Sequence, residues 1–108
     1  NNTILPPNSE LEITISANPY RKNIDKSCLL NIKSEYSSAY YSIKVIDMEG
    51  NCVSTIRNLG VIGVNAEFDI AEYLSALKVG AYILKVEMTD TASGKYDSQL
   101  KLFAVGED

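Results

Sequence analysis

The sequence predicts an all-β fold in two layers of antiparallel strands, about seven in number, with one short helical turn before the sixth. Three observations predict it. Stretch after stretch alternates apolar and polar residues with the two-residue period of a strand that buries one face. Turn-forming residues interrupt these stretches about every 8 to 12 positions. A single stretch, residues 71–77, changes to helical spacing.

The elements follow in order. Residues 1–9 are polar and contain Pro6-Pro7, whose fixed φ and missing N–H donors make an extended lead-in, so the folded domain is expected over residues 10–108. Residues 10–17 set Leu11, Ile13, Ile15 and Ala17 on one face and Glu10, Glu12, Thr14 and Ser16 on the other, a first strand. Residues 18–23, Asn-Pro-Tyr-Arg-Lys-Asn, read as a turn-rich break. A second strand over residues 28–36 sets Cys28, Leu30, Ile32 and Tyr36 against Asn31, Lys33 and Glu35. A hairpin occupies residues 40–57. In it Tyr41, Ile43 and Val45 alternate with Ser42 and Lys44, Asp47, Gly50 and Asn51 supply the turn, and residues 52–56 return alongside. Residues 58–63 contain two glycines and read as a loop or bent edge.

Val64, Ala66, Phe68 and Ile70 alternate with Asn65, Glu67 and Asp69 as a fifth strand, and the helical turn over residues 71–77 ends before Gly80. Residues 81–89 form the sixth strand, with Tyr82, Leu84, Val86 and Met88 inward and Lys85 and Glu87 outward. Ile83 is an exception on the outer face. Residues 90–95, carrying Ser93-Gly94, close a hairpin onto the seventh strand, where Leu100, Leu102 and Ala104 are expected inward against Gln99, Lys101 and Phe103.

Seven short strands separated by regular turns are the pattern of an immunoglobulin-like β-sandwich. Its predicted core is Ile13, Ile15, Leu30, Ile32, Ile43, Val45, Phe68, Ile70, Leu77, Tyr82, Leu84, Val86, Leu100 and Leu102. Each such aliphatic side chain stabilises by on the order of 1.5 to 3 kcal/mol when buried. A register slip of one residue would turn Lys and Glu inward.

At 108 residues, 45% of them hydrophobic, the chain is one domain able to fold around a core without disulfides or a metal. Fourteen acidic residues against ten basic ones leave a net charge of −4, and no basic run exceeds Arg21-Lys22. Nucleic acid and anionic membrane surfaces are therefore not expected partners. No apolar stretch approaches the roughly 20 residues that span a bilayer, so membrane insertion is not expected. Without a charged-then-apolar leader, the chain reads as cytoplasmic or as a mature form whose leader is missing.

Two local patterns sharpen the reading. Leu77, Gly80 and Tyr82 have the Leu-x-x-Gly-x-Tyr spacing of a tyrosine corner, in which the phenol hydrogen-bonds backbone a few residues upstream. The stretch Val45-Ile46-Asp47-Met48-Glu49-Gly50-Asn51-Cys52-Val53, with Leu77 and Gly80-Ala81-Tyr82-Ile83-Leu84-Lys85-Val86, resembles the small secreted immunoglobulin-like domains of unknown function from Bacteroides-type bacteria. It is also similar to type IX secretion C-terminal sorting domains, although those typically end in a basic tail and this chain ends in Glu107-Asp108. The resemblance implies a bacterial, extracytoplasmic protein, in the periplasm, at the cell surface or secreted, and it brings no catalytic residue.

The residues themselves carry little reactive chemistry. With no His, the usual general base and the commonest transition-metal ligand are missing. No phosphate-cradling glycine motif occurs, and no cofactor is expected. Carboxylates at Glu35, Asp47, Glu49, Glu67, Asp69, Glu87 and Asp90 read as solvated faces. Asp47, Glu49 and Asn51 lie close enough in sequence to hold a hard cation, but a turn capped by Asp47, with Gly50 or Asn51 at positive φ, is the expected structure. Cys28 and Cys52 read either as two small buried thiols or as one disulfide.

Seven Tyr and no Trp leave Tyr20, Tyr36, Tyr40, Tyr41, Tyr73 and Tyr96 as candidate stacking faces, most of them expected to be half-buried strand residues. Tyr36, Tyr40 and Tyr41 form the candidate ligand platform. The expected function is a non-catalytic interaction or structural module that presents loops or an edge strand to a protein partner at the cell envelope. The alternatives are a glycan-binding module and a secretion or attachment domain.

Overall fold

The computed structural model describes residues 11–34, 39–62 and 65–107, with the backbone alone for residues 57–62 and 65. Among the described residues eight strands and one short helix follow one another: β1 (Leu11–Ile15), β2 (Tyr20–Arg21), β3 (Leu29–Ser34), β4 (Ala39–Asp47), β5 (Cys52–Ile62), β6 (Asn65–Asp69), α1 (Ala71–Ser75), β7 (Gly80–Asp90) and β8 (Tyr96–Gly106). The fold is all-β, and its helix stands where the spacing changes, before the strand carrying Tyr82. Three strands in the order β1-β3-β6 make one sheet, and five in the order β2-β8-β7-β4-β5 make the other.

Alternation is the local cause of this arrangement. Leu11 and Ile13 of β1, with Leu30 and Ile32 of β3, turn inward from the small sheet, as do Ile43 and Val45 of β4 and Leu84 and Val86 of β7 from the large one. All belong to one buried cluster, so each sheet covers the other's apolar face. Ile70, Ala71, Leu74 and Leu77, in and beside the helix, belong to the same cluster. Tyr36, Val64 and the lead-in of residues 1–9 lie outside the described residues.

Several expectations are corrected. Pairing is not antiparallel throughout: Tyr20 and Arg21, placed in a turn-rich break, form a two-residue strand running parallel to β8, with Tyr20 opposite Val105. Two residues are too few to show a period. The Asn18 side chain extends this pairing, its Nδ2 donating to Leu102 O at 3.1 Å and its Oδ1 accepting from Ala104 N at 3.2 Å. Residues 58–62, expected as a loop or bent edge, continue the edge strand β5 opposite β4 as far as Ile62 against Ala39. The ladder absorbs Gly60 opposite Tyr41, and register shifts along β4 mark bulges in which a strand can accommodate such a residue.

The phase of the last strand is the largest correction. Leu100 and Leu102 are 62% and 63% exposed, whereas Phe103 and Val105 are buried at 2% each. Register decides this. Phe103 stands opposite inward-facing Tyr82, and Leu102 opposite outward-facing Ile83, and residues paired across a sheet share a face. Phe103 also stacks on Tyr82, ring centroids 5.9 Å apart. Ile15 and Phe68, expected in the core, are only half-buried at its margin.

Candidate functional site

The spacing of Leu77, Gly80 and Tyr82 carries one upstream hydrogen bond. Tyr82 is buried and its hydroxyl donates to Lys78 O at 2.6 Å, bridging the end of the helical segment to the start of β7. Gly80 lies between them at φ 159, extended backbone. Leu77 is buried beside them. These residues hold the chain where it enters the large sheet.

At the hairpin turn, Asp47 Oδ1 accepts from Glu49 N and Asn51 N, each at 2.9 Å, and Gly50 N donates to Asp47 O at 3.0 Å. Those donors hold the Asp47 carboxyl below the usual carboxylate range, the Asn51 N–H having the largest effect. Gly50 takes φ 93, the left-handed value that glycine adopts freely. The carboxylate thus serves the turn. Among the described residues no group of three or more Asp, Glu or Cys side chains stands close enough to hold a metal ion.

Cys28 and Cys52 are separate thiols. Cys28 is buried, with Sγ 3.6 Å from Ala17 O, and burial pushes its thiol up. Cys52, expected to be buried if unbonded, is exposed instead, at the start of the edge strand β5. Asp69, at the end of β6, joins the small sheet to the helix, its Oδ1 accepting from Cys28 N at 3.1 Å and from Ala71 N at 3.0 Å. Both bonds hold the Asp69 carboxyl low.

Of the expected tyrosine platform, the two described members, Tyr40 and Tyr41, do not share a face. Tyr40 and Tyr41 are neighbours on one strand and therefore point to opposite faces. Tyr41 is fully buried and so offers no stacking surface, while Tyr40 is 44% exposed. Burial raises the Tyr41 phenol, and Ser34 lies close enough to soften that effect. The Tyr41 hydroxyl has no hydrogen-bond partner of good geometry among the described residues. The Ser34 hydroxyl contacts Met88 Sδ at 3.2 Å. Tyr20, another candidate, is buried, and Tyr73 is half-buried.

The outer face of the five-stranded sheet gathers what the sequence kept apart. Register sets four rows across β4, β7 and β8: Tyr40, Thr89 and Tyr96; Ser42, Glu87 and Ser98; Lys44, Lys85 and Leu100; Ile46, Ile83 and Leu102. Tyr96 is 57% exposed, and its hydroxyl donates to Glu87 Oε2 at 2.7 Å, which raises the phenol. Lys85 Nζ lies 3.8 Å from the same carboxylate oxygen. The face thus carries tyrosines at one end, aliphatic side chains at the other and charge between. Ile83, the exception in its strand, and Leu102, expected in the core, are neighbours in one row.

A cleft of about 330 Å³ opens where Ile56 of β5 approaches Glu67, Phe68, Asp69, Glu72 and Tyr73. Another of about 350 Å³ lies between Asp47, Val53, Leu77 and Tyr82. No described helix is long and apolar enough to cross a membrane. No protein-family model matches the chain, and a search of the curated proteins finds no match.

Proposed function

We propose that this chain is an immunoglobulin-like β-sandwich that works by binding rather than catalysis, as an extracytoplasmic module holding a protein partner at the cell envelope. One observation carries the reading. Leu100 and Leu102 stand exposed on the outer sheet face, in register with Lys85 and Ile83, where a solvent-facing strand normally shows polar residues. Neighbouring exposed aliphatic side chains of this kind mark an interaction site. The sandwich reading is supported by the shared core of the two sheets and by the Tyr82 to Lys78 hydrogen bond.

Cross-linking the folded chain to native cell envelope tests it. A partner captured by the natural sequence is expected to be lost when Leu100→Ser and Leu102→Ser are introduced together; unchanged capture removes the reading. A glycan partner is the second reading, favoured by Tyr40 and Tyr96, exposed on one row to either side of Thr89. Saturable tyrosine quenching by a soluble polysaccharide, lost in Tyr40→Ala and Tyr96→Ala, would favour it over a protein partner.

A further inference from the structure

We infer that the occupant of the outer face is a protein segment combining aliphatic side chains with a carboxylate, the carboxylate entering between Lys44 and Lys85; this rests on the protein-partner reading above. Lys44 and Lys85 stand directly opposite each other on neighbouring strands, about 5 Å apart in the pairing direction. Like charges so placed repel. Lys85 shares Glu87 with Tyr96, and Lys44 has no ion pair among the described residues. The face therefore holds uncompensated positive charge, although the whole chain carries −4.

That charge borders the apolar row. Leu100 shares the row of the two lysines, and Ile46, Ile83 and Leu102 form the next one along. Lys44 is itself half-buried, as a lysine is when its aliphatic stem covers apolar surface while its ammonium stays in solvent. An occupant must cover the aliphatic row and supply an anion beside it. A second copy of this chain does not fit, because two such faces together set four lysines against two Glu87 carboxylates, each already bonded to Tyr96 and Lys85. An anionic lipid surface has the charge required, but it would meet a chain that is acidic as a whole.

The test uses the intact chain, amide chemical shifts as readout, and short acetylated amphipathic peptides pairing leucine with glutamate, glutamine or lysine. The leucine–glutamate peptide is expected to shift the amides around Lys44, Lys85, Leu100 and Leu102, and to bind about tenfold more tightly than the leucine–lysine peptide. Added salt should narrow the difference. The variant combining Lys44→Gln and Lys85→Gln should keep its fold and bind the glutamate and glutamine peptides equally. Equal binding of the lysine peptide, concentration-dependent self-association abolished by Leu102→Ser, or flotation with phosphatidylglycerol vesicles in place of peptide binding would each overturn the inference. If neither charged peptide binds while the serine variant still loses its envelope cross-links, the carboxylate fails and the protein-partner reading stands. Cross-links that survive the serine substitutions defeat that reading itself.

Discussion

Single side chains decide how this fold is fastened. The Tyr82 hydroxyl is bonded to Lys78 O, whereas the Tyr41 hydroxyl is buried without a partner of good geometry among the described residues. Removing each should have opposite consequences. Tyr82→Phe is expected to lower the stability measured by urea unfolding by about 1 kcal/mol, the net worth of one such bond. Tyr41→Phe is expected to be neutral or stabilising, because it discards a desolvated polar atom while keeping the ring. An equal loss in both variants would mean that the Tyr82 bond has no special weight. The thiols divide in the same way: in the native protein a disulfide reagent should label Cys52 quickly, and Cys28 only on unfolding.

At the scale of elements, β8 is the decisive case. Its residues are apolar in both phases toward its end: Leu100, Leu102 and Ala104 in one, Phe103 and Val105 in the other. Alternation alone cannot choose between them. Pairing with β7 does, because Tyr82 opposite Phe103 fixes which set enters the core. Phe103→Ala should therefore cost about 3 to 5 kcal/mol, and Leu102→Ser no more than about 0.5 kcal/mol. Urea midpoints of the two variants check the order, and a reversed order would mean that the strand is out of register. The two hairpin turns are better marked in the sequence, since Gly50 and Gly94 take φ 93 and 75 and carboxylates bond within both. Asp90 accepts from Ser93 N at 2.8 Å and Ser93 Oγ at 2.6 Å, as Asp47 does from its own turn.

At the scale of the whole molecule, these carboxylates set the response to acid. Asp47, Asp69 and Asp90 are all held below their ordinary range by hydrogen bonds from nearby backbone or from Ser93. Once unfolded, the chain takes up these protons near pH 3.9, while the folded chain resists to lower pH. The unfolded state therefore binds more protons in that interval, and stability rises with pH through it. The contribution is complete above about pH 5 and is lost progressively as pH falls below about 4. At the other end, burial raises Cys28, whose contribution is complete below the unfolded thiol value near pH 8.5 and declines above it. With no His, urea midpoints measured from about pH 2 to pH 10 should form a plateau between these limits. A step near pH 6 would contradict this account.

The sequence by itself determined the all-β class, most strand positions, the turn capped by Asp47 and the spacing from Leu77 through Gly80 to Tyr82. All of these are local, set by the two-residue period, by glycine at positive φ and by side chains bonding backbone within a few residues. Tertiary structure alone decided the parallel pairing of Tyr20 with Val105, the inward phase of Phe103, and the meeting of Ile46, Ile83 and Leu102 beside Lys44 and Lys85. Those depend on which distant strands lie side by side and in what register. A period read along one strand carries no information about its neighbours.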